Sequence, residues 1–166
     1  MQIATMIDIK YFIGIDPGIK GSIAVIDDQG NILLHTAVPT IKINKKNQYD
    51  LFAIDGLLSM IMNKYEFVEV IIEKAQAMPH QGVVSMFTYG RGYGYWIGLM
   101  TAMGISYKEV HPKTWTKLLR CGKEFGGKEG NYKRAQELFP QYKAERKSDQ
   151  TFCDSLLLAE YGRIYK

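Results

Sequence analysis

Cysteine and histidine are scarce in this chain of 166 residues: two of the first, three of the second. Cys121 and Cys153 lie far apart with no Cys or His at ligand spacing, which excludes a disulfide scaffold and a structural zinc site and predicts reduced thiols. No apolar run approaches the ~20 residues of a membrane span, and Met1–Met6 has neither the basic start nor the long apolar centre of a signal peptide. There is no internal repeat and no low-complexity tract beyond a glycine-rich, basic stretch after Cys121. What remains is a soluble, intracellular protein built as one globular domain over residues 1–166, whose 46% hydrophobic content can fill a core.

The net charge of +4 is unevenly placed. Eleven lysines and arginines stand against five acids between Lys108 and Lys147, so the rest of the chain is net negative. A basic third beside an acidic remainder suits a protein that handles phosphodiesters, and it equally suits a solvated lysine-rich face.

Strand and helix patterns alternate in an informative order. Tyr11–Asp16, Gly21–Ile26 and Ile32–Val38 read as three strands in an antiparallel meander, and a polar loop with Lys42, Lys45 and Lys46 follows. The spacing of Leu51, Ile54, Leu58 and Ile61 predicts a helix over Asp50–Lys64 that lies against the sheet. Val68–Glu73 is a short buried strand, parallel to the first through a right-handed crossover. A helix from Val83 to Met103 comes next, then a fifth strand over Ile105–Val110. A Pro112-initiated helix runs to Arg120, the linker Cys121–Gly130 leads to a helix ending near Phe139-Pro140, and the last helix spans Asp149–Tyr165. The Val83–Met103 helix holds Gly90, Gly94 and Gly98 at four-residue spacing, a smooth stripe expected to serve tight packing. Tyr89, Tyr93, Tyr95 and Trp96 read as core or interface residues, with base stacking as the functional alternative. His35 and His111 read as structural.

Three acids occupy telling positions. Asp16 ends an apolar strand at Asp16-Pro17-Gly18, where Pro17 lacks a donor and Gly18 and Gly21 permit positive φ, so the chain can reverse and display the carboxylate. Read alone, this is either a ligand-binding edge or an ordinary turn. Glu73 ends the fourth strand at the same edge. Asp154 opens the last helix at the positive end of its dipole, either as a ligand or as a plain helix stabiliser. Asp149 is a further candidate five residues earlier.

These residues, with Phe12-Ile13-Gly14-Ile15-Asp16-Pro17-Gly18, Ile71-Ile72-Glu73, Gly90-Arg91-Gly92, Ala102-Met103-Gly104-Ile105, Pro112-Lys113-Thr114-Trp115-Thr116-Lys117, Leu138-Phe139-Pro140 and Asp154-Ser155-Leu156-Leu157-Leu158-Ala159-Glu160-Tyr161-Gly162, resemble the RuvC family of Holliday junction resolvases, within the RNase H-like nuclease superfamily. Met78-Pro79-His80-Gln81-Gly82 resembles its phage and organellar branch. The resemblance implies an α/β, RNase H-like fold with a mixed five-stranded sheet (the meander plus parallel strands) flanked by helices. It implies a crossover junction endodeoxyribonuclease acting as a homodimer on branched DNA, in a bacterial or phage-infected cytoplasm or an organelle, with two Mg²⁺ or Mn²⁺ ions per site. Asp16, Glu73 and Asp154 would be the metal-binding catalytic acids, with Asp149 as a possible fourth ligand. Lys117 and Lys128 fall near positions of active-site lysines in relatives. DNA contacts are expected from Lys74, Gln76, Met78, His80, Gln81, Arg91, Lys113, Lys117, Lys123 and Lys128, the loop after Glu73 touching bases at the crossover. One departure stands out: relatives carry another acid or a histidine three or four residues before the last acid, where this chain has Thr151 and Gln150.

Two other classes fit parts of the pattern. A noncatalytic junction-binding protein could keep the same fold without the upstream ligand. Gly14-Ile15-Asp16-Pro17-Gly18 also resembles the first phosphate motif of actin-like ATPases and sugar kinases, which need two such domains and therefore a longer chain.

Overall fold

The computed structural model describes residues 10–66, 68–76, 82–121, 127–144, 150 and 152–165. Within them the elements run β1 (Tyr11–Ile15), β2 (Ser22–Asp27), β3 (Ile32–Ala37), β4 (Thr40–Ile43), β5 (Lys46–Tyr49), α1 (Leu51–Lys64), β6 (Val68–Glu73), α2 (Val83–Ala102), β7 (Tyr107–Val110), α3 (Pro112–Leu118), α4 (Gly127–Leu138) and α5 (Cys153–Ile164). The main sheet has the order β3-β2-β1-β6-β7; β1, β2 and β3 pair antiparallel, while β6 pairs parallel with both β1 and β7. This is the mixed five-stranded sheet that the RuvC-family resemblance implies, with the meander and the parallel β6 that the strand pattern predicts.

Alternation along the strands divides the core in two. Phe12, Ala24, Ile26 and Ile71 point to the face covered by α3, α4 and α5. Ile13, Ile15, Ile23, Val25, Val70 and Ile72 point to the face covered by α1 and α2. α5 sits closest, because Gly14 of β1 removes the obstacle: a Cβ there would stand 1.9 Å from the Ser155 carbonyl oxygen and 2.4 Å from the Ala159 nitrogen. α1 is capped by Asp50, whose side chain accepts the Ala53 N–H at 3.1 Å, and it buries Ile54, Leu58 and Ile61. Leu51 stays at the exposed edge of that helix. No helix among the described residues is long and apolar enough to cross a membrane.

Three expectations need correction. The polar loop around Lys42, Lys45 and Lys46 is a β4–β5 hairpin, turned by Asn44 and Lys45 at φ 49° and 63°. Two successive left-handed residues make the tight turn whose twist suits paired strands; β4 alternates as Thr-Ile-Lys-Ile, but both isoleucines stay exposed and the lysine-rich tip reads as a loop. The stretch taken as linker up to Gly130 is helical from Gly127, with Gly130 buried; packing overrides the poor helix propensity of glycine. The stripe of Gly90, Gly94 and Gly98 packs against nothing among the described residues, whereas Gly92 makes the close approach, since a Cβ on it would lie 2.1 Å from the Tyr49 hydroxyl.

Candidate active site

The parallel pairing of β1 with β6 sets the site. The register runs to Ile15 opposite Ile72, and Asp16 and Glu73 each follow by one residue at the same end of the sheet. By alternation they share the face of Phe12 and Ile71, against which α5 packs. Asp154 lies in the first turn of α5.

Each carboxylate is held by a specific donor. An oxygen of Asp16 accepts the Gly18 N–H at 3.0 Å, while the Asp16 N–H donates to the Ser22 carbonyl at 3.0 Å. Gly18 and Gly21 do not take the positive φ expected of them. Gly21 is needed for space, because a Cβ there would come within 2.2 Å of the Asp16 carbonyl oxygen and 2.8 Å of its Cγ. The buried Trp115 of α3 donates its Nε1–H to Glu73 at 2.9 Å. Asn131 of α4 donates its Nδ2–H to Asp154 at 2.8 Å.

The start of α5 is pinned to the sheet by the carbonyl of Phe152, two residues before Asp154. Nε2 of His35 on β3 lies 2.8 Å from it, and the buried hydroxyls of Ser22 and Ser155 lie 2.8 and 3.0 Å away and 2.7 Å from each other. Burial pushes the His35 imidazole below its ordinary range. His35 is structural, as expected, but it acts on the segment that carries Asp154.

The three acids share one electrostatic environment. Burial raises Asp16, against the opposing effects of the Gly18 N–H and the Lys128 charge. Burial, then the charge of Asp16, pushes Glu73 up to about 8 despite the Trp115 hydrogen bond. Burial and Asp16 likewise raise Asp154 to about 7, with Asn131 and Lys128 opposing. Three carboxylates in this environment are not all ionised at neutral pH unless a cation joins them. As placed, no three His, Cys, Asp or Glu side chains among the described residues could hold a metal ion. The donors have the right chemistry for a divalent ion, being desolvated, hard oxygen ligands with little positive charge nearby among the described residues, and side-chain rotation would have to close the remaining distance.

The other expected site residues scatter. Lys128, in the first turn of α4, is the lysine whose charge reaches Asp16 and Asp154; Lys113 and Lys117 are exposed on α3. Lys74 is half-buried, 4.0 Å from Glu109, and Gln76 is half-buried beside it in sequence. Arg91 is exposed on α2, over the Phe87 ring. Met78, His80, Gln81, Lys123 and Asp149 lie outside the described residues. Of the aromatics, Trp96 is core, Tyr93 and Tyr95 pack on its periphery, and Tyr89 lies half-buried within the field of Glu73 and Asp16. Trp115, Asn131, Ser22 and His35 were not legible as site residues. Asn131 had one signal, a position three after Lys128 on the same helical face.

No family model matches the chain, and no curated protein matches it in sequence. Among solved structures, Thermus thermophilus RuvC aligns with a TM-score of 0.63 at 16% identity, over 94% of this chain and 97% of that one. T. thermophilus RuvC in complex with Holliday junction substrate aligns with the same score and identity, over 93% of this chain and 96% of that one. The sheet order, the helices on both faces and the three acids at one edge are therefore set in a RuvC-like, RNase H-like fold.

Proposed function

We propose that this protein is a metal-dependent endonuclease that resolves four-way DNA junctions by paired, symmetric hydrolysis of phosphodiesters. The observation that carries the reading is the gathering of Asp16, Glu73 and Asp154 from β1, β6 and α5 into one field, buried and undercompensated, in a fold shared with a protein solved on Holliday junction substrate. Asp16, Glu73 and Asp154 would hold two Mg²⁺ or Mn²⁺ ions. The ions would supply an activated water and neutralise charge on the attacking and leaving oxygens. Trp115 and Asn131 orient Glu73 and Asp154, so that fewer side-chain rotations separate the resting site from the loaded one. Lys128 adds positive charge beside the scissile phosphate, while Lys74, Arg91, Lys113 and Lys117 meet the DNA backbone.

Paired cuts call for two sites related by twofold symmetry, which a homodimer supplies. The open face of α2, with Phe87, Gly90, Gly94 and Gly98, is the surface we assign to the second copy. The test is incubation with labelled four-way junction, duplex and fork DNA, with and without magnesium. Magnesium-dependent cutting of the junction is expected, and Asp16→Asn should cut on the order of 10²–10³ slower while binding the junction as before. Binding without cutting by the unaltered chain would replace this reading with a noncatalytic junction binder, and ATP turnover would replace it with a kinase-like one.

A further inference from the structure

One cavity against the Asp16 turn has no part in the reaction as proposed. Ile19, Tyr49, Val84, Ser85, Thr88 and Tyr89 line a groove of about 270 Å³ on the α1 and α2 side of the sheet. It is built onto the Asp16 turn. Ile19 belongs to the chain reversal after Asp16, and the Tyr49 hydroxyl donates to the Pro17 carbonyl at 3.0 Å, so two walls are fixed to residues next to the carboxylate. Among the described residues the lining is two phenol rings, two aliphatic side chains and two small hydroxyls, with no charged group. The Thr88 hydroxyl is spent on the Val84 carbonyl at 2.9 Å. Val84 remains 80% exposed at the mouth. The first turn of α2 bears no acidic side chain to repel a phosphate, and the Arg91 charge reaches Tyr49 from the following turns.

We infer that this groove takes one unstacked nucleobase from the strand whose phosphate lies at Asp16, Glu73 and Asp154. A base is flat, aromatic and uncharged, which matches the lining, and its sugar ties it to a phosphate, which matches a groove walled by the Asp16 turn. Stacking on the half-buried Tyr89 would accept any base, because every base offers a π-face, while Tyr49 is buried and forms the floor. The inference rests on the nuclease reading above and adds to it where the displaced base goes.

The test is a scan of four-way junctions carrying an abasic residue at each position flanking the cut, with affinity measured in the Asp16→Asn background. One position should lose about 5- to 150-fold on removal of its base. Tyr89→Ala should lose a similar factor on intact DNA and little more at that position, because the two changes remove the same contact. Tyr89→Phe, which keeps the ring, should bind like the parent, and Thr88→Trp, which fills the groove, should behave like Tyr89→Ala. Additive losses at every position, or full affinity in Thr88→Trp, would overturn the inference and leave the nuclease reading intact. A changed oligomeric state of Tyr89→Ala or Thr88→Trp without DNA would assign the groove to a second copy and overturn it too. Failure of the unaltered chain to bind or cut any branched DNA would instead remove the nuclease reading, and this inference with it.

Discussion

Glu69 and Glu73 lie four residues apart on β6 and face the same side of the sheet, yet their surroundings are opposite. At Glu69, burial works to raise the carboxyl, but Lys108 at 2.7 Å and Lys10 at 3.0 Å outweigh it and hold the group below its ordinary range. At Glu73 burial acts with the charge of Asp16, one neutral indole N–H opposes them, and the carboxyl rises to about 8. The first is a paired carboxylate at an edge that closes the fold. The second, among the described residues, is kept short of positive charge at the edge where β1 also ends on an acid. A fold does not need that arrangement, whereas a site that receives a cation does.

The sharpest way to break this contrast is to neutralise each acid in turn. Glu73→Gln should lower junction cutting on the order of 10²–10³-fold, while Glu69→Gln leaves it within about twofold, measured as single-turnover rates. Equal losses would erase the distinction. Trp115→Phe keeps an aromatic ring but removes the donor to Glu73; a loss of about 10- to 100-fold in cutting with little change in junction affinity is expected.

Proton linkage sharpens the comparison further. Glu73 and Asp154 hold their protons to higher pH in the folded protein than in the unfolded chain, so the native state binds more protons once pH exceeds their ordinary values of 4.5 and 3.8. Their contribution therefore lowers stability as pH rises, until each is ionised in both states, near pH 7 for Asp154 and pH 8 for Glu73. Glu69 has the opposite sign: its pairing stabilises the fold above its ordinary value, and that contribution is lost as pH falls through the lowered one. Thermal melts of metal-free protein between pH 5 and 8 should fall less steeply in Glu73→Gln than in the parent, and added magnesium should flatten the parent's slope. The smallest effect belongs to Lys10→Met, whose ammonium is partly exposed; unfolding free energy should change by about 1 kcal/mol or less in denaturant titration, with cutting unchanged.

Much of this was legible along the chain. The strands of the main sheet, α1 and α2 follow from alternation and helical spacing, with boundaries that shift by a residue or two. Asp16, Glu73 and Asp154 announce themselves because each sits where a strand ends or a helix begins. The β4–β5 hairpin was hidden because its strands are four residues each and its lysine-rich turn reads as a loop, and the early start of α4 because two glycines mask it. The supporting donors were hidden for a different reason: nothing local in Trp115, Asn131 or His35 points to an acid, and only the folded chain brings them to Glu73, to Asp154 and to the segment before it.

The amino-acid order by itself determined the strands of the main sheet and most of the helices, and that three acids stand at their ends, since those features depend on local periodicity and turn chemistry. Only the tertiary structure decided that the acids share one desolvated field, that Glu69 is neutralised while Glu73 is not, and that Phe152 is tied to β2 and β3. Electrostatic coupling and hydrogen bonding depend on distance in space, which the parallel pairing of β1 with β6 and the close seat of α5 on Gly14 establish.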